Sequence, residues 1–139
     1  MFAYVCLGTN DLERAVKFYD AALAPLGFNR CNTGEESNWE GWAGWGIYEE
    51  GGAKELALWV CTPFDAKTAT PGNGTMIALR ANTWAAVQNF YAAANENGGT
   101  SEGAPGLRPQ YASDFYAAYV RDPDGNKIAV VCRGSAHPE

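Results

Sequence analysis

The sequence predicts an α+β fold of two βαβββ modules that share a curved mixed sheet with helices outside. Three observations lead there. The chain repeats itself at an offset of 72, each copy opens on a strand-like run followed by an amphipathic helix, and neither four-stranded half can cover both faces of its sheet alone. The repeat aligns Leu7 with Leu79, Asn10 with Asn82, Phe18-Tyr19 with Phe90-Tyr91, Ala21-Ala22 with Ala93-Ala94 and Gly27 with Gly99.

In the first copy, Ala3 to Leu7 is a short apolar run with strand character. Asn10-Asp11-Leu12-Glu13 then resembles a capping box with Asn10 as N-cap, which predicts a helix over about 11–25. Leu12, Ala15, Val16, Tyr19, Leu23 and Leu26 fall on one helical face, Pro25 distorts the last turn, and Gly27 supplies a left-handed exit. Strands are expected at Phe28 to Thr33, Gly41 to Glu49 and Glu55 to Thr62. The second copy begins with a strand from Thr75 to Ala81. Asn82 is its expected N-cap; Trp84, Val87, Phe90-Tyr91 and Ala94 form the apolar face; Asn97-Gly98-Gly99 ends the helix. A short strand over Thr100 to Gly103, a loop from Ala104 to Asp114, and a hairpin follow. The hairpin joins Phe115–Arg121 to Lys127–Cys132 through Asp122-Pro123-Asp124-Gly125. The expected organisation is one domain, with module 1 over about 1–62, a linker over 63–73, module 2 over about 74–133 and a tail over 134–139.

Composition narrows function. The chain has 139 residues, enough for one domain, with 47% hydrophobic and 19% charged residues. A net charge of -6 repels phosphate backbones and anionic lipids, so neither nucleic acid nor a membrane is expected as a partner. No apolar run reaches the roughly 20 residues of a membrane span, and the first residues lack a basic leader, so the expected setting is cytoplasmic. Cys6, Cys31, Cys61 and Cys132 are scattered through or beside apolar runs and read as buried, inert free thiols rather than a disulfide framework. The single histidine, His137, lies in the polar tail, which disfavours histidine-based metal or base chemistry.

Three segments resemble one family. They are Asn10-Asp11-Leu12-Glu13-Arg14-Ala15-Val16-Lys17-Phe18-Tyr19-Asp20-Ala21-Ala22-Leu23-Ala24-Pro25-Leu26-Gly27, the run Gly103 to Tyr111 (Gly-Ala-Pro-Gly-Leu-Arg-Pro-Gln-Tyr), and Phe115 to Ile128 with its Asp-Pro-Asp-Gly-Asn turn. Together with the paired modules they are similar to the vicinal oxygen chelate superfamily of glyoxalase I, bleomycin-resistance proteins and extradiol dioxygenases. The resemblance implies four metal-ligand positions, one on the first and one on the last strand of each module. Those positions fall on Tyr4, Leu58 or its neighbour, Met76 and Ala129. These side chains cannot together coordinate a divalent ion, because only the phenol offers an oxygen and its pKa near 10 disfavours the anion. No metal and no other cofactor is therefore expected.

The expected activity is small-molecule binding in an apolar, aromatic cup, as in sequestration or drug resistance, by a homodimer. The expected pocket comprises Tyr4, Cys6, Trp42, Leu58, Met76, Arg108, Tyr111 and Ala129. Arg108 and Tyr111 would clamp a ligand carboxylate or hydroxyl. Trp39, Trp42 and Trp45 beside Glu35, Glu36, Glu40, Glu49 and Glu50 would suit a cationic or flat ligand. Two other readings stay open. One is an enzyme related to lactoylglutathione lyase, a lyase or isomerase that acts on a small carbonyl or epoxide compound without the usual metal site, with Glu55 among its unexpected ligands. The other is a non-catalytic protein-interaction module using the Trp-rich surface.

Overall fold

The computed structural model describes residues 1–33 and 40–134. Within them the chain runs β1 (Tyr4–Gly8), α1 (Leu12–Leu23), β2 (Trp42–Glu49), β3 (Lys54–Cys61), β4 (Met76–Arg80), α2 (Trp84–Glu96), β5 (Thr100–Leu107), β6 (Tyr116–Arg121) and β7 (Lys127–Cys132). The first module forms a sheet in the order β1-β3-β2 and the second a sheet in the order β4-β7-β6-β5. In each, the opening strand runs parallel to the last strand and all other pairs are antiparallel. This is the α+β architecture of paired modules expected from the repeat, with two mixed sheets in place of the one shared sheet expected.

The offset of 72 holds to the residue where it matters. Strand starts Tyr4 and Met76, N-caps Asp11 and Thr83, and helix starts Leu12 and Trp84 are each 72 apart. The caps lie one residue beyond Asn10 and Asn82. Asp11 accepts from the Arg14 N–H at 3.1 Å, and Thr83 accepts from the Ala86 N–H at 3.0 Å. Asn10 is not free to cap, because its amide bonds both the carbonyl and the N–H of Ala69 in the linker, at 3.0 and 2.7 Å.

Three further segments differ from expectation. The helix ends at Leu23, and Ala24–Leu26, with Pro25 inside, forms a tight 3-10 turn that closes on left-handed Gly27. Phe28 to Thr33 makes only an isolated bridge, Arg30 to Trp45, although Cys31 and Asn29 still bond the Gly44 carbonyl and the Gly46 N–H. Conversely, β5 extends to Leu107 through Pro105. It is an edge strand with register shifts on both sides of Gly103, where a proline costs no ladder bond.

One core joins the modules. Ala15, Phe18, Tyr19, Ala22 and Leu23 of α1 and Val87, Phe90 and Ala94 of α2 pack on Leu58, Val60 and Trp45 from the first sheet and on Tyr116, Val120, Ile128 and Val130 from the second. Helix α1 lies against α2. Gly99 permits this closeness, since a Cβ there would meet the Ala94 carbonyl, the Phe18 ring and the Arg121 carbonyl at 2.7, 2.7 and 2.9 Å.

The β6–β7 turn locks the modules together. Asp122, 4% exposed, accepts the Tyr19 hydroxyl at 2.6 Å, the Asn126 side-chain amide at 2.9 Å, and the backbone N–H groups of Asp124 and Asn126, both at 2.9 Å. Asp124 accepts the Thr9 hydroxyl at 2.6 Å, the Asn10 N–H at 2.9 Å and the Arg14 guanidinium at 2.8 Å. Asn126 donates to the Gly8 carbonyl at 3.1 Å. Burial first, and the Asp122 carboxylate second, push the Tyr19 phenol well above its ordinary value of 10.0. A raised pKa favours the neutral phenol in the fold, so its contribution to stability is complete below about pH 10 and declines as pH rises further. Denaturation series from pH 9 to 11.5 are therefore expected to show Tyr19→Phe losing less stability with rising pH than the parent, by up to about 1.4 kcal/mol per pH unit. Equal pH slopes would contradict this reading of Tyr19.

Candidate functional site

Strand alternation gives each sheet one face in the core and one turned away from it. Cross-strand register identifies the outer face of the first sheet as Tyr4 and Cys6 on β1, Glu55, Ala57, Trp59 and Cys61 on β3, and Trp42, Gly44 and Tyr48 on β2. On the second sheet the outer face carries Met76 and Ala78 on β4, Lys127 and Ala129 on β7, and Ala117 and Tyr119 on β6. Ala57, Trp59, Ala117 and Ala129 are buried yet lie outside the shared core, so they form the floors of these two faces.

On the first floor, the Trp59 indole lies across Gly44. A Cβ at residue 44 would run into its six-membered ring, with 2.5 Å to Cζ3. The indole N–H donates to Glu55 Oε2 at 2.7 Å, and the Tyr48 ring meets the indole edge-on at 5.5 Å. Cys6 is exposed rather than buried, because it lies on the outer face of the edge strand β1. Its Sγ lies 3.2 Å from that of Cys61. Burial first, then the Cys6 contact, pushes the Cys61 thiol up to about 12, which suppresses its thiolate.

On the second floor, Tyr119 carries two cations. The Arg108 guanidinium lies 5.5 Å from the ring centroid and the Lys127 ammonium 5.8 Å. Arg108 is held by bonds from its terminal nitrogens to the Gly106 and Ala104 carbonyls at 2.8 and 2.6 Å. With Gln110, Tyr111, Gly103 and Glu102 these residues line a cavity of about 250 Å³.

A second cavity, of about 190 Å³ and almost wholly apolar, opens beside β1. Tyr4, Phe2, Val5, Leu56, Leu58 and Leu79 are among its walls.

The eight expected pocket residues are thus distributed. Tyr4, Cys6 and Trp42 share the outer face of the first sheet, and Met76 and Ala129 share that of the second. Arg108 and Tyr111 line the polar cavity. Leu58 pairs with Val5 and faces the core, while its neighbours Ala57 and Trp59 face outward; Leu58 and Tyr4 nevertheless both reach the apolar cavity. Cys6, Trp42, Met76 and Ala129 line neither cavity.

The expected tryptophan platform does not form. A spacing of three puts Trp42 and Trp45 on opposite faces of β2, and Trp45 is 2% exposed in the core, with its indole N–H bonded to Asp20 at 2.9 Å. Trp39, Glu35, Glu36 and His137 lie outside the described residues. Lys127 and Trp59 were not among the expected pocket residues. Alternation on β7 places Lys127 on the face of Ala129, and the tight turn sets Tyr119 opposite Ala129, so Lys127 was readable from the hairpin; Trp59 is not on it, and its place follows from the β1–β3 and β2–β3 registers.

The four positions that the family resemblance assigns to metal ligands fit a divalent ion poorly. Tyr4, Met76 and Ala129 supply one phenol, one thioether and no donor, and the β3 position supplies Ala57 or Trp59 on the outward face. Among the described residues, no group of three His, Cys, Asp or Glu side chains is placed to hold a metal.

Comparison with known proteins agrees with this architecture. No functionally curated protein matches the sequence. A glyoxalase/bleomycin resistance protein from Albidiferax ferrireducens T118 is 36% identical, with 96% of this chain and 99% of that chain covered at a TM-score of 0.78. A glyoxalase/bleomycin resistance protein/dioxygenase family enzyme from Burkholderia phytofirmans PsJN shares the fold at 18% identity, covering 95% and 98% of the two chains with a TM-score of 0.67. The V278E glyoxalase I mutant from Zea mays matches 94% of this chain with 45% of its own length, at 24% identity and a TM-score of 0.63. The profile of the Glyoxalase/Bleomycin resistance protein/Dioxygenase superfamily spans residues 2–130, and the chain belongs to that superfamily.

Proposed function

We propose that this chain is a metal-independent small-molecule binding protein of the sequestration or resistance type. The observation that carries the reading is the donor set: Tyr4, Met76, Ala129 and the Ala57–Trp59 pair stand where metal-using relatives place ligands, and they make an apolar and aromatic floor instead. The two cavities, one apolar and one polar, suit ligands with a hydrophobic body and a polar end. A homodimer is part of the proposal. It is supported by outward-facing Tyr4 and Met76, 55% and 45% exposed on neighbouring sheets, which a second copy would cover. A cytoplasmic setting is supported by the four free cysteines.

A screen of small organic compounds by thermal shift tests this directly, because a ligand that binds only the folded state raises the melting temperature. At least one compound is expected to raise it by the same amount with and without a chelator. A shift that disappears on chelation, or a screen with no shift at all, would overturn the proposal.

One observation favours a second reading. Glu55 places a carboxylate, bonded to the Trp59 indole, on the first floor, where it has the chemistry of a general base for a lyase or isomerase acting on small carbonyl or epoxide compounds. Turnover of methylglyoxal–thiol adducts that is lost in Glu55→Gln would replace the binding role with that enzyme.

A further inference from the structure

Resting on the reading of this chain as a small-molecule binder, we infer that the cavity over Tyr119 takes a small aromatic carboxylate, its anionic end held between Arg108 and Lys127. The net charge of -6 and the acidic stretch of the first module suggest a cationic ligand. The geometry of the second floor reverses that preference.

Two cations converge on one ring at 5.5 and 5.8 Å. Among the described residues neither Arg108 nor Lys127 forms an ion pair. The single acid in the cavity wall, Glu102, pairs with the Arg121 guanidinium at 2.6 Å, while the Lys127 charge acts on it only from beyond ion-pair distance. Bringing two like charges to one tyrosine ring costs Coulomb energy, and an anion bound by both offsets that repulsion.

Arg108 is also prepared for this role. Two of the five guanidinium N–H donors are spent on the Gly106 and Ala104 carbonyls, which fix the plane of the group before any ligand arrives and leave the others to donate. A planar fork of that kind matches a carboxylate.

The size of the cavity points to one ring. About 250 Å³ falls below the roughly 300–1,000 Å³ typical of drug-sized ligand pockets. Tyr119 and exposed Tyr111 offer aromatic surface for the ligand body, and Gln110 offers an amide for a second polar substituent.

The test is calorimetric titration and thermal shift of the full chain with benzoate, benzyl alcohol and benzyltrimethylammonium, a matched anion, neutral and cation. Benzoate is expected to bind at least about tenfold more tightly than benzyl alcohol, and the cation not at all. Lys127→Gln and Arg108→Gln are each expected to weaken benzoate about tenfold or more and benzyl alcohol by clearly less, because the neutral hydroxyl loses no charge partner. Arg108→Gln also loses the two carbonyl bonds, so Lys127→Gln, whose ammonium makes no hydrogen bond among the described residues, keeps the test decisive if the arginine variant misfolds. Tighter binding of the cation, or benzoate affinity untouched by Lys127→Gln, overturns the inference. If no member of this trio binds but other compounds of the broader screen do, the charge assignment falls and the binding role stands. If nothing in either set binds, both fall.

Discussion

Replacing Asp122 with alanine is expected to destabilise the chain by about 3–5 kcal/mol, the range seen when one partner of a buried charged network is removed. The carboxylate is 4% exposed and accepts four hydrogen bonds, from Tyr19, Asn126 twice and Asp124. Alanine leaves the Tyr19 hydroxyl, at the centre of the core, with no acceptor, and a buried unsatisfied donor alone costs about 1–3 kcal/mol. It also releases the turn whose next acid, Asp124, clamps Thr9, Asn10 and Arg14 of the first module. In a domain of this size the loss corresponds to a fall in melting temperature of about 10–20 °C. Combined with Tyr19→Phe the loss should be less than additive, since the second change removes the stranded donor. A loss below about 1 kcal/mol, or strict additivity, would show that the turn is not what joins the modules.

Gly44→Ala is expected to cost about 1–3 kcal/mol, the range for overpacking a filled site, and to disrupt the first floor. The added methyl would occupy space held by the Trp59 ring, which is 2% exposed, bonded to Glu55 and braced by Tyr48. Tilting the indole away would strain its 2.7 Å bond to Glu55. Trp59→Leu in the same chain should recover part of the loss by emptying that space, a coupling that chemical denaturation of the four variants of the cycle measures directly. No coupling between the two positions would contradict the packing described for the floor.

The fold was readable because its signals are local and periodic. The offset of 72 marks both strand starts and both helix starts, since each copy needs the same strand, cap and apolar stripe. Misplacement came from long-range bonds that a local pattern does not contain. Asn10 is an ordinary N-cap residue, but its amide serves Ala69, 59 positions away, and the cap passes to Asp11. Pro105 and its neighbouring glycines read as loop, yet an edge strand absorbs them with two register shifts.

The site was less legible. Trp42 and Trp45 invite a shared aromatic patch until the register of β2 sends one outward and the other into the core. Asp-Pro-Asp-Gly-Asn reads as a common turn, and its acids gain their role only when the first helix is brought against them. Arg108 was readable as an anion clamp, but its partnership with Lys127 depends on two registers, β5 on β6 and β6 on β7, which bring both cations to Tyr119.

The central claim is that the floor of this superfamily fold works here without a metal ion. Titration calorimetry of chelator-treated protein with zinc and with nickel tests it most directly. The account predicts no saturable heat beyond weak surface binding. A stoichiometric site for either ion that is lost on Tyr4→Phe or Glu55→Gln would contradict it.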